Sequence, residues 1–172
     1  LEQTDKAIAL LEGARSRGLL TEARDYQTLF ALYFNADGQE KRVIEVINEG
    51  LQKGVLQRDL QTLQALAQAT FFSEDIPLAI ATFREAAALD PKGETGLNLA
   101  KVLSGEGEDA AARDAAKAAL AKGVARPGEA WMVIARSEAQ LDNTAGARAA
   151  LQEAAKHAET REQANRMLQQ FR

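Results

Sequence analysis

The sequence predicts an all-α solenoid, and three observations carry that prediction. The 172 residues are 46% hydrophobic but only 5% aromatic, and alanine makes up about a fifth of the chain, so the core is thin and its helices approach closely. Glycine (12) and proline (3) are sparse and cysteine is absent, which leaves little material for a sheet, a disulfide framework or a thiolate metal site. The third observation is a repeat. Segments starting at Ala7, Val43, Ala79, Ala112 and Ala147 share a small-x-x-x-large-x-x-small pattern, with Leu11, Ile47, Phe83, Ala116 and Leu151 at the large place. They are spaced by 36, 36, 33 and 35 residues, the period of a stacked-hairpin array. A second pattern, Tyr26-x-x-Leu29-Phe30, Leu63-x-x-Leu66-Ala67 and Trp131-x-x-Ile134-Ala135, lies 16 or 17 residues ahead of its copy of the first. Each unit is therefore two short amphipathic helices.

Taken in order, a helix over 4–17 starts at the cap Thr4 and stops at Gly18. Tyr26, Leu29 and Phe30 place one over 22–35, and Val43, Ile47 and Gly50 place the next over 39–53, stopped by Gly54. Leu63, Leu66 and Ala67 mark 57–72; Ala79, Phe83 and Ala86 mark 75–88, closed by Asp90-Pro91. The helix over 93–104 has Gly96 where the aromatic belongs, and its partner over 109–122 starts at the cap Asp109, carries Ala116 at the large place and stops at Gly123. With the turn Gly105-Glu106-Gly107-Glu108-Asp109 between them, this pair is expected to be the loosest. Trp131 anchors 127–141 as a packing residue, Ala147 and Leu151 anchor 143–157, and Thr160 caps 160–171. In that last helix Ala164, Met167, Leu168 and Phe171 form one stripe on an otherwise polar surface, as the closing element of an array requires.

The unit Leu63, Leu66-Ala67, Ala79, Phe83, Ala86, Asp90-Pro91 resembles the tetratricopeptide repeat, with its large residue, small residues at helix crossings and closing proline. The resemblance implies a right-handed superhelix in one domain spanning 1–172: a half repeat over 1–18, repeats near 22–55, 56–91, 92–126 and 127–158, and the closing helix 160–171. The first helix lacks its partner, so Ile8, Leu10 and Leu11 are expected to be covered by an upstream helix of a longer protein, or to drive self-association. No stretch approaches a membrane span, and Leu1-Glu2-Gln3 opens without a signal-peptide pattern.

Chemistry is poorly provided for. His157 is the single histidine, which removes metal sites built on two imidazoles; at a helix C-terminus it suits the macrodipole. Gly105-Glu106-Gly107-Glu108 carries acids where a phosphate cradle needs bare amides. No catalytic residue, cofactor or metal is expected. With 21 basic against 25 acidic residues, no basic stripe points to nucleic acid.

Binding is expected instead. The first helices of stacked pairs present one concave face, where the repeat places Arg24, Gln27, Ala31 and Phe34, then Gln61, Gln64, Gln68, Phe71 and Phe72. Leu97 and Lys101 follow, and then Glu129, Met132 and Arg136. Amides flanked by aromatics suit a protein or peptide partner, although Phe71 and Phe72 are equally suited to sealing adjacent units. Tetratricopeptide domains that clamp a terminal carboxylate use lysine, asparagine and arginine; here Gln27, Ala31, Gln64 and Gln68 hold those places.

A narrower likeness rests on the exit Gly50-Leu51-Gln52-Lys53-Gly54, its variant Ala119-Leu120-Ala121-Lys122-Gly123, the stretch Arg126-Pro127-Gly128-Glu129-Ala130-Trp131, and the closing Thr160-Arg161 to Leu168. These resemble the carboxy-terminal half of periplasmic tetratricopeptide proteins of TonB–ExbB–ExbD systems. That resemblance implies a periplasmic accessory of energy-driven transport with TonB, ExbB or ExbD as partners. The alternative is an interaction arm of a larger enzyme.

Overall fold

The computed structural model describes residues 2–170, and among them every regular element is a helix: α1 Glu2–Ser16, α2 Ala23–Phe34, α3 Glu40–Gln52, α4 Leu60–Phe72, α5 Ile76–Leu89, α6 Glu94–Gly105, α7 Asp109–Ala121, α8 Pro127–Gln140, α9 Thr144–Ala154 and α10 Arg161–Gln170. The chain divides between Thr82 and Phe83, inside α5, into two compact units. In the first, α2 packs on α1 and α3, and α3 on α4; in the second, consecutive helices from α6 to α10 pack on one another and α6 also meets α8.

Burial follows the repeat. Val43, Ile47 and Gly50, then Ala79, Phe83 and Ala86, then Ala112, Ala116 and Ala119, then Ala147, Leu151 and Ala154 are all buried. The core of the first unit gathers Tyr26, Leu29, Phe30, Tyr33, Val43, Val46 and Ile47. Small residues at the crossings let neighbours in: a Cβ on Gly50 would stand 2.7 Å from the Leu56 side chain and 3.0 Å from the Tyr26 ring.

The helix stops share one chemistry. At the ends of α1, α3 and α7 a glycine in the left-handed region (Gly18, Gly54, Gly123) donates to the carbonyl three back. The next N–H, of Leu19, Val55 or Val124, reaches the carbonyl of Ala14, Gly50 or Ala119. This pairing satisfies carbonyls the helix leaves open. The ends of α4, α6 and α8 repeat it with Glu74 (φ 65), Gly107 (φ 75) and Asp142 (φ 57) at the left-handed place.

Some expectations need correction. Thr4 lies inside α1, and Asp109 is the first residue of α7, one place after the capping position; Thr160 does precede α10, and its carbonyl accepts the first bond of that helix, from Ala164. Ile8 and Leu11 pack against their own unit's core and only Leu10 points outward, 75% exposed. The α6–α7 pair is closely packed rather than loose, because Gly96 sits at ordinary contact distance from Ala119, and Ala112, Ala116 and Ala119 of α7 are buried. No glycine follows Ala154, yet α9 ends there, since the Thr160 hydroxyl donates to the Ala154 carbonyl and the chain turns. His157 therefore sits in that turn, where its carbonyl accepts from Thr160 and Arg161. Ala164 is buried and Met167 and Leu168 half-buried in the closing helix; Phe171 lies outside the described residues.

Candidate functional site

The buried stripe of α2 is Tyr26, Leu29, Phe30 and Tyr33. Its counterpart in α4 is Leu63, Leu66, Ala67 and Thr70, and the same places in α8 hold Trp131, Ile134, Ala135 and Glu138, of which the last three are buried. The exits agree with that match, since the left-handed residues Glu74 and Asp142 stand at equivalent places after α4 and α8. The predicted register of α8 therefore holds, but one contact residue placed on it does not face solvent. Trp131 is half-buried, whereas Met132, expected on the contact face, is packed inside the second unit at 8% exposure. Leu97 is likewise buried. Neither Met132 nor Leu97 is a free contact residue.

In the first unit part of the predicted set comes together. Arg24, Gln27, Thr28, Ala31, Leu32 and Asn35 of α2 and its C-cap, with Gln61 of α4, line one shallow open depression of about 350 Å³. Arg24, Gln27 and Ala31 meet there because they lie three and four residues apart on one side of a helix, with Gln61 facing them from the next. The Thr28 hydroxyl is spent on the Arg24 carbonyl. Thr28, Leu32 and Asn35 were missed by the sequence reading, although their spacing along α2 could have supplied them.

Further along α4, Gln68 is exposed and Gln64 half-buried. The Phe71 and Phe72 rings meet edge to face at 5.5 Å and both remain exposed, Phe72 by 61%. Phe34 does not join them in solvent but packs against the first unit's core. In the second unit Lys101 of α6 is ion-paired with Glu129 of α8, and Arg126 holds the same carboxylate at 2.6 Å. Arg136 is exposed on α8.

A second polar assembly in the first unit was not anticipated. Arg15 of α1 donates to Glu49 of α3 at 2.7 Å and to Glu12 at 2.9 Å. The Tyr26 hydroxyl donates to Glu49 at 3.0 Å, Tyr33 to Glu12 at 2.8 Å and Lys53 to Glu49 at 2.7 Å. Burial alone would raise the Glu49 carboxyl, but the hydrogen bonds from Lys53, Arg15 and Tyr26 override it and hold the group down at about 2. Burial, then the bond to Glu12 and its charge, push the Tyr33 phenol up to about 12. These bonds tie α1 to α2 and α3. Among the described residues no group of three histidine or acidic side chains is placed to hold a metal ion, and no helix is long and apolar enough to cross a membrane.

The stretches behind the TonB likeness have structural duties. The two exits are the helix stops described above, and Pro127 opens α8 at its first position. A Cβ on Gly128 would strike Thr160 and stand 2.8 Å from both Glu159 and His157. The closing segment turns on bonds from Arg161 to the Ala155 and Lys156 carbonyls.

Helix hairpins repeating on this period, with small residues at each crossing, define the tetratricopeptide class of fold. Among solved structures the chain is similar to a crystal structure of MamA, a tetratricopeptide-repeat protein, with a TM-score of 0.77 and 18% identity over 93% of this chain and 91% of that one. A second MamA crystal structure gives 0.71 and 17% over 94% and 95%. Identity this low carries the fold alone, and it gives the TonB-associated identity no support. No protein-family model and no curated protein sequence matches the chain.

Proposed function

We propose that this chain is a non-enzymatic scaffold that takes a segment of a partner protein on the α2/α4 face of its first unit. The tetratricopeptide fold supports the coarser half of that reading, an interaction scaffold. One observation supports the finer half: the exposed Arg24, Ala31 and Gln61 and the half-buried Gln27 line a single depression. Groups that neither pack nor pair within their own fold are available to a backbone laid across them.

The test fills the depression. Ala31 is exposed in its lining, so Ala31→Trp should leave the melting temperature within about 2 °C and abolish capture of peptides selected on the wild-type chain. Undiminished capture by the variant would place the binding surface elsewhere. The TonB-system assignment and its periplasmic address keep only the sequence resemblance as support, and recovery of TonB, ExbB or ExbD with the intact protein from native membranes is their test.

A further inference from the structure

We propose that the occupant of the α2/α4 face is an extended peptide carrying an acidic side chain about four or five residues from an apolar one. The inference rests on the reading above and adds the chemistry of the partner. Arg15 and Arg42, elsewhere in the first unit, each face carboxylates. Arg24, which lines the depression, has no ion-pair partner among the described residues, and no acidic side chain lines the depression beside it. The side-chain amides of Gln27, Asn35 and Gln61 around it have no hydrogen-bond partner among the described residues either. A lone guanidinium ringed by neutral amides complements one carboxylate and the peptide groups next to it. It repels a basic segment.

The apolar end of the ligand follows from α4. Gln61, Gln64, Gln68 and Phe71 recur at three- and four-residue steps and so share one side of the helix. Ten residues separate Gln61 from Phe71, about 15 Å at the rise of an α-helix, which an extended chain covers in about four or five residues. A peptide laid along α4 with its carboxylate at Arg24 brings an apolar side chain to the exposed edge-to-face pair of Phe71 and Phe72. Because the chain as a whole carries a net charge of −4, attraction for an acidic ligand depends on this local cation and weakens with salt.

The experiment uses the full chain and a blocked seven-residue peptide of serine and glycine with glutamate at its second place and leucine at its sixth. Companions replace the glutamate by glutamine, replace the leucine by serine, or move the leucine beside the glutamate. Binding is read by fluorescence anisotropy at low and physiological salt, and its location by amide chemical shifts. The glutamate peptide should bind about tenfold more tightly than its glutamine companion at low salt, with shifts on α2 and α4. Arg24→Gln should erase that preference, and both leucine changes should weaken binding. Equal binding of the glutamate and glutamine peptides, with shifts still on α2 and α4, overturns the acidic ligand and leaves the scaffold reading standing. A randomised display library gives the same separation. Enrichment of non-acidic sequences that Ala31→Trp excludes sinks this inference alone, whereas failure of every peptide to perturb α2 and α4 sinks both.

Discussion

At the scale of the residue, backbone handedness decides which positions tolerate change. Glu74 holds φ 65 at a place where the α6 exit uses Gly107. A side chain in the left-handed region costs about 1 kcal/mol or more, so Glu74→Gly should raise stability by about 1 kcal/mol in urea unfolding. No gain would mean that the glutamate side chain compensates for its own strain. Gly93 is the opposite case. It has φ 81, and an added Cβ would stand 2.6 Å from the Ala119 carbonyl oxygen, backbone that cannot swing aside. Asp90 beside it accepts from the Lys92 and Thr95 N–H groups, and Lys122 donates to the Ala87 and Asp90 carbonyls. Burial works against charge on Asp90, but those N–H bonds keep its carboxyl below the ordinary range. Gly93→Ala should therefore cost about 2–4 kcal/mol, against about 1 kcal/mol for Gly107→Ala, whose surroundings are open. Equal costs would show that the close approach to Ala119 contributes nothing.

At the scale of the element, helix contacts set two expectations. Ala79 is fully buried, and Ala79→Leu should cost about 1–3 kcal/mol by overpacking; an unchanged melting temperature would mean that α5 can shift to admit the larger side chain. The ionic assembly joining α1, α2 and α3 sets the pH dependence. Glu49 titrates at about 2 when folded, below the ordinary 4.5, so the stability it contributes is present above pH 4.5 and is lost as pH falls towards 2. Tyr33 is raised to about 12 from 10, so its contribution holds below pH 10 and fades as pH climbs through 12. Glu49→Gln should flatten the acid limb of a stability profile and leave the alkaline limb in place; identical acid limbs would remove Glu49 as the cause. Helix positions were legible in the sequence because small and large residues recur on a fixed period and glycines mark the stops. The ionic assembly was not, since Arg15 and Glu49 lie 34 residues apart and look like ordinary surface charges. The candidate site divides in the same way: the spacing of Arg24, Gln27 and Gln61 on their helices brings them to one depression, whereas Met132, at the place that Gln64 holds in α4, is a large apolar side chain that packs inward.

At the scale of the molecule, a fold in which the helices of each unit lean on their neighbours keeps damage local. Ile47 is buried in the core of the first unit, and Ile47→Ala should cost about 2–5 kcal/mol. Hydrogen exchange in that variant should accelerate more in α2–α4 than in α8–α10; uniform acceleration along the chain would make the whole molecule a single cooperative block. The recurring glycine stop bears on growth of the chain as well. Three second helices leave by the same turn, so whatever length follows Gly18, Gly54 or Gly123 starts from the same backbone direction. Extra residues inserted just after such a turn, at Gln57 for example, should leave the hairpins on either side intact, whereas one residue added within α3 would rotate the rest of that helix by about 100°. Lengthening by whole modules, and drift in the joints between them, are thus the changes this architecture absorbs.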